Sequence, residues 1–422
     1  MALSLSPAFL SPSPRMEPSR SRTRDFFMGR AFCALAIFAA LMASTTPSPL
    51  YPVYIAEWGL PQSAGTTIFA VYAIGTLLSL FLAGWLDRLA SDRRQILLPA
   101  LVFTMLGALM FAAADEVWML LVGRFLSGAS TGLITSTAST AIFELDSEEK
   151  RGRAATVSTV AFTGGAASGP CLSSAALAAG VAPLVTPFLC IAALALVAFV
   201  GLSLAPWPKG RNPAASSARK PSEIRPDLSD GDRARYLALA CLSVAVAWML
   251  GSMLMAASVS LATELFHLQV YALAGLLPAL FQLAGGIGQV LAGRIQPLRA
   301  ILLGCGLLAV LQLGTLAGAW AGITAVFILA MPLCGLAYGA AFVGGASLVN
   351  RTAAQGTLAR KIARFYVVGY LSNSIPTFAF GLMIDSHGLA TAFTVFSLVF
   401  VLLALTGTVI AASWIRKGGA GA

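Results

Sequence analysis

The sequence predicts an all-α integral membrane fold, with twelve spanning helices in two pseudo-symmetric six-helix halves. Three observations carry this. Of the 422 residues, 58% are hydrophobic and only 10% are charged, whereas soluble domains carry about 25% charged residues. Long charge-free windows recur along the chain, of the roughly 20-residue length that crosses a bilayer. The basic residues between those windows fall on alternate connections. Transmembrane β-strands would instead show about 10 residues of alternating polarity, and no such alternation is present.

The predicted spans are 31–54, 62–84, 95–114, 117–141, 154–178, 184–206, 236–260, 270–292, 300–318, 322–348, 365–384 and 390–414. Glu57, the Gly180–Pro183 turn and the Gly318–Gly322 turn each divide a window long enough for two helices. Residues 1–27, rich in Ser, Pro and Arg, read as a disordered cytoplasmic tail. They lack the apolar core of a signal peptide; an organelle transit peptide is an alternative, and Met16 is an alternative start to Met1. The first half is expected over 28–206, a cytoplasmic linker over 207–233, the second half over 234–415, and a short tail over 416–422.

The net charge of +10 raises the question of nucleic acid, and its distribution answers it. Of the 27 Lys and Arg residues, every one except Arg124 falls in the terminal segments or in connections on one side of a twelve-span topology. The positive-inside rule assigns that side to the cytoplasm. It therefore places both termini there and leaves the membrane rather than a nucleic acid as the partner; the expected location is a bacterial-type inner membrane. A miscounted span would scramble the pattern.

The halves show an internal repeat. Gly128 and Gly132 recur as Gly335 and Gly339 at an offset of 207, and Pro170 recurs as Pro376 at 206. Duplicated halves of this kind are the build of secondary transporters, with a substrate site near the bilayer midplane between them.

Four motifs stand out. After the second span the chain reads Gly84-Trp-Leu-Asp87-Arg88-Leu-Ala-Ser-Asp92-Arg93-Arg94. The fourth span holds Gly123-Arg124-Phe-Leu-Ser-Gly128-Ala-Ser-Thr-Gly132. The fifth reads Gly165-Ala-Ala-Ser-Gly169-Pro170-Cys-Leu-Ser173-Ser174. The first ends Thr45-Thr46-Pro47-Ser48-Pro49-Leu50-Tyr51-Pro52-Val53-Tyr54. Together they resemble the major facilitator superfamily, and its drug/proton-antiporter-like bacterial members in particular. Three departures are plain. Gly84 stands one residue too close to Asp87, the second glycine of the loop signature is absent with Ala90-Ser91-Asp92 in its region, and Ser173-Ser174 replace the final glycines of the antiporter signature.

The resemblance implies a cytoplasmic latch at Gly84, Asp87, Arg88, Arg93 and Arg94. The Asp87 carboxylate would face the positive N-terminus of the eleventh helix, braced by Arg93 and Arg94. An ordinary basic turn is the competing reading. For Arg124 the resemblance implies proton coupling or contact with the first helix. A guanidinium at this depth costs several kcal/mol unless it is paired or wet, and carbonyls or hydroxyls near Thr45, Thr46 and Ser48 are the candidate partners. Snorkelling to the surface is the alternative. Gly128 and Gly132 permit close helix packing. Gly165, Gly169 and Pro170 imply export in exchange for protons, with the glycines forming a flat face for the other half; a generic proline-bent helix competes. Tyr51 and Tyr54 fit either the cavity or an interfacial aromatic belt.

Candidate cavity residues are Thr46, Tyr72, Ser136, Trp248, Phe281, Gln282, Gln289, Tyr338, Tyr370 and Asn373. Helix packing explains each equally well. As a set they are aromatic and neutral, which favours an uncharged or amphipathic organic substrate over an inorganic ion. The acids near the spans (Glu57, Glu144, Glu264, Asp385) all lie at span ends, so proton coupling must run through Asp87, Arg124 or Glu264, or be absent.

An enzyme is not expected. His267 and His387 lie at outer span ends with no base–nucleophile pattern, and there is no phosphate-binding glycine loop. The six cysteines lack metal-ligand spacing and read as small packing residues. No cofactor or metal is expected, and a monomer is. The expected function is proton-coupled export of a small organic compound by alternating access. Uptake of a sugar or metabolite is the first alternative, and a membrane sensor without flux the second.

Overall fold

The computed structural model describes residues 20–145, 151–207, 228–352 and 357–416. Among these residues all regular structure is helical: α1 (Arg20–Thr45), α2 (Tyr51–Trp58), α3 (Gln62–Leu89), α4 (Arg94–Ala112), α5 (Val117–Glu144), α6 (Arg151–Ala179), α7 (Thr186–Leu204), α8 (Asp230–Ser260), α9 (Tyr271–Ala292), α10 (Pro297–Trp320), α11 (Thr324–Thr352), α12 (Leu358–His387) and α13 (Leu389–Arg416). Eleven stretches are long and apolar enough to cross a membrane, α1 and α2 counting as one. The twelfth expected span is α6, a 29-residue helix whose Gly, Ser and Thr content dilutes its apolar character.

Several expected boundaries move. The helix α1 starts at Arg20, inside the segment read as a tail, and residues 1–19 lie outside the described region. Most of the 207–233 linker also lies outside it, and α8 already begins at Asp230. The first span is broken. After α1, a 3-10 turn at Ser48–Leu50 leads into α2, because Pro47, Pro49 and Pro52 cannot donate to a helical ladder. Gly59 then ends α2 in the left-handed region, at φ 59°. The second span does not stop at Gly84. It continues as α3 to Leu89, so Gly84, Asp87 and Arg88 lie on the helix rather than in a loop.

Large apolar side chains such as Phe81, Val310 and Leu402 are about two-thirds exposed (64%, 64% and 67%). In water such a belt would aggregate; in a bilayer it faces lipid. Inside, one apolar cluster is built from the first half alone, around Cys33, Ile37, Leu101, Ile134 and Leu202. A second joins the later helices and takes in Leu50, Tyr51, Tyr54 and Phe69 from the first half. Several buried polar side chains find partners across helices. Ser252 Oγ pairs with Thr377 Oγ1 at 2.7 Å, joining α8 to α12, and Gln312 Nε2 donates to Ser397 Oγ at 2.8 Å, joining α10 to α13.

The repeat glycines do matching jobs. A Cβ on Gly128 of α5 would run into the Tyr72 carbonyl of α3, and one on Gly335 of α11 into the Phe281 carbonyl of α9. Gly132 likewise closes on Ser79 of α3. Each half thus uses small residues to bring one helix pair into backbone contact, the standard device where lipid supplies no hydrophobic drive.

Candidate functional site

Four arrangements lie along the axis between the face that carries the basic loops and the face opposite. At the basic face, Arg93 is the hub. It is buried at the start of α4, forms an ion pair with Asp87, and meets Glu144 at the end of α5 through Nη2–Oε1 at 2.7 Å and Nε–Oε2 at 3.1 Å. The second contact is a bidentate charge-assisted pair, the strongest common geometry. Burial alone would lower the Arg93 pKa, but the Glu144 and Asp87 carboxylates outweigh it and raise it, so the guanidinium stays charged.

Arg94 does not brace Asp87, contrary to expectation. Its Nε binds Asp92 Oδ2 at 2.9 Å, and its guanidinium lies over the Trp207 ring at 5.4 Å, just beyond α7. Consecutive residues opening a helix point about 100° apart, so both cannot reach one carboxylate. Gly84 has open space where a Cβ would sit, and makes no close approach. Arg88 is in the last turn of α3, and its side chain lies outside the described region. The partner missed in the sequence was Glu144, an acid at a span end with a buried arginine facing it.

At mid-depth, Arg124 is fully buried. Its Nη1 donates to the Ser44 carbonyl of α1 at 2.6 Å, and its guanidinium lies 4.8 Å from the Tyr72 ring centre and 5.4 Å from that of Phe69. The partner is thus a first-helix carbonyl, one residue before the expected set. Gly165 and Gly169 were expected to face the other half and instead meet α1 of their own half, against Phe38 and Thr45. They share one helix face with Ser173, whose Oγ donates to the Thr46 carbonyl at 2.6 Å, and that bond fixes the stripe on α1. The other half meets α6 through different residues, Ser174 against Gly275 and Thr163 against Gly286, both on α9. Pro170 lies within α6 without ending it.

Between the halves runs a cavity in two lobes, of about 140 and 450 Å³. Both lobes are bordered by Phe162, Trp248, Tyr338 and Tyr370. Tyr72, Phe281, Gln282 and Asn373 border the smaller lobe, and Ser136 and Gln289 the larger. Thr46 borders neither. It is fully buried, with its hydroxyl on the Met42 carbonyl at 2.7 Å. Tyr51 and Tyr54 are also buried away from both lobes. Trp248 centres an aromatic group, 4.7 Å from Tyr370, 5.8 Å from Phe342 and 6.1 Å from Tyr366. Phe162, Phe342, Tyr366, Ser139 and Ser158 are wall residues that the sequence reading missed. For Ser139, the helical spacing from Thr135 and Ser136 was a usable signal.

On the opposite face the halves are tied together. The Ser63 amide, at the start of α3, donates to both carboxylate oxygens of Asp385 near the end of α12, at 3.2 and 3.3 Å. A carboxylate at a helix N-terminus is a favourable cap. Gly381 packs on Thr66 beside it.

The family model described as Major Facilitator Superfamily matches residues 33–377. The chain belongs to that superfamily. As a superfamily member it is a multi-pass membrane protein. Similar curated proteins include the class E tetracycline resistance protein of Escherichia coli, 29% identical over 169 residues, covering 39% of this chain and 40% of that protein. Another is myo-inositol transporter 1 of Candida albicans, 32% identical over 98 residues, covering 23% and 18%. The chain thus spans less than half the length of the curated relatives it matches. Among solved structures, a POT family transporter in complex with 5-aminolevulinic acid aligns over 93% of this chain and 96% of that one, with a TM-score of 0.71 at 13% identity. A nucleoside transporter aligns over 90% and 99%, with a TM-score of 0.69 at 10% identity. These likenesses speak to the fold: all-α, two halves, the major facilitator arrangement.

Proposed function

We propose that this transporter exports a small organic compound by alternating access, in exchange for protons, as a monomer of the inner membrane with both termini in the cytoplasm. The observation that carries the export reading is the Gly165–Gly169–Pro170 motif of α6, supported by the likeness to tetracycline resistance proteins. The aromatic and neutral polar cavity supports an organic substrate. In the state described here the halves meet at the face opposite the basic loops, so the cavity would load from the basic side. When the halves rock, Asp87 would engage the N-terminus of α12 and hold the alternate state. Asp87 and Glu264 are the proposed proton carriers.

Transport in inverted vesicles, with and without an ionophore that collapses the proton gradient, tests this. Accumulation of substrate that the ionophore abolishes is expected. Accumulation unchanged by the ionophore removes the antiport, and accumulation only in right-side-out vesicles reverses the direction. Likeness to myo-inositol and facilitated glucose transporters supports uptake as the second reading, and the vesicle pair separates the two. Tags at residues 57 and 116 should report one compartment and a tag at 220 the other.

A further inference from the structure

The charge around the cavity restricts what it can hold. No acidic or basic side chain borders either lobe. One side-chain layer behind the wall lies Arg124, fully buried. Three of the groups that cover it, Ser44, Phe69 and Tyr72, border the smaller lobe themselves. Ser44 takes one N–H, through Nη1. The Nε and Nη2 groups of Arg124 have no hydrogen-bond partner, and among the described residues no carboxylate pairs with the guanidinium. Trp248 Nε1, on the residue shared by both lobes, is a third buried donor without a partner.

An unpaired buried charge and unmet buried donors both raise the energy of the empty molecule. A ligand that brings negative charge and acceptor atoms relieves both. A neutral ligand meets at most the donors, and a cationic one adds repulsion in a medium of low dielectric. We propose that the cavity takes an organic anion: an amphipathic acid with an aromatic body against the Trp248 cluster and one carboxylate or sulfonate drawn toward Arg124 and Trp248 Nε1. This rests on the reading of the cavity as the transport site, and is independent of the direction of transport.

Three probes of one shape separate charge from fit: 1-naphthoate, 1-naphthamide and 1-naphthylmethylammonium. Equilibrium binding to the purified full-length protein should rank naphthoate roughly tenfold or more tighter than the amide, with the ammonium weakest. In Arg124→Gln, the ratio of naphthoate to amide affinity should collapse to within about twofold, and Arg124→Lys should keep part of it because the charge remains. If Arg124→Gln does not fold, the wild-type ranking decides alone. Equal affinities, no binding of naphthoate, or tightest binding of the ammonium in the wild-type protein overturns the assignment, as does a full anion preference in a folded Arg124→Gln. Vesicle transport of the same probes keeps the two proposals apart. Preferred binding of naphthoate without flux sinks the export reading and leaves the anion site standing. Flux of the amide without anion preference does the reverse.

Discussion

Arg93 and Arg94 are adjacent in sequence and stand in different trades. Arg93 is buried and holds two carboxylates from two other helices, whereas Arg94 is partly exposed and pairs with a neighbour two residues away. Arg93→Ala leaves Glu144 and Asp87 without their cation in a half-buried pocket. It is expected to cost about 2–3 kcal/mol, read as a clear drop in the thermal unfolding midpoint in detergent. Arg93→Lys should recover part of that loss, since an ammonium cannot grip Glu144 through two parallel bonds. Arg94→Ala gives up a partly exposed pair with a near neighbour and one ring contact, and is expected to cost about 1 kcal/mol or less. Equal losses for the two alanine variants would contradict the hub assignment. Nothing in the linear order of residues separates these two. Both fit a basic turn, and the difference comes from helix phase, which a motif written along a line does not contain.

Among the elements, spans were legible because lipid admits few solutions. A backbone without water must satisfy itself, so apolar runs of the right length become helices. Helix ends were less legible. Hydrophobicity marks where hydrocarbon stops, whereas α3 and α8 run on beyond it into polar sequence. The stripe Gly165–Gly169 was legible as a packing face, but its partner was not, since periodicity states that a face exists and not which neighbour fills it. Two glycines of recognised motifs should therefore behave differently. Gly84→Ala meets open space and should be neutral, or stabilising by about 0.5–1 kcal/mol, in a helix. Gly128→Ala drives a methyl group into the α3 backbone, and should lower the yield of folded protein and its unfolding midpoint. Thermal scans of both variants check this, and a tolerated Gly128→Ala would contradict the close approach.

For the molecule as a whole, the state described is set by contacts on one face. Asp385 ties α12 to α3 across the halves there. Asp385→Asn keeps the shape and removes the charge. A charged cap of this type is worth about 0.5–1 kcal/mol, so the closed population should fall relative to the open one by roughly two- to fivefold. Distances between spin labels on α3 and α12 at that face would show it, and an unchanged distribution would mean that Asp385 does not hold the closure. At the centre, Trp248→Ala and Tyr338→Ala each remove a wall residue common to both lobes. Either should cut transport about tenfold or more without loss of folded protein, given stacking of the order of 1 kcal/mol per ring plus the area lost. Intact transport in both variants would move the substrate elsewhere. Much of this cavity was legible from aromatic and amide residues stranded in apolar spans. Thr46 was misread because a hydroxyl that satisfies its own preceding turn looks, in sequence, the same as one offered to a ligand.

The interruption at Pro47–Pro49 has a mechanical outcome. A continuous helix must break several backbone bonds before it can flex, whereas the 3-10 link between α1 and α2 already lacks the amide donors of Pro47 and Pro49, and Pro49 of that link rests on Gly275 of the other half. The α2 rod can therefore follow its neighbour across the midline while the α1 rod stays anchored by Gly165 and Gly169. Amide hydrogens at this joint should exchange faster than those one turn to either side, which makes it a ready-made elbow in the first strut of the machine.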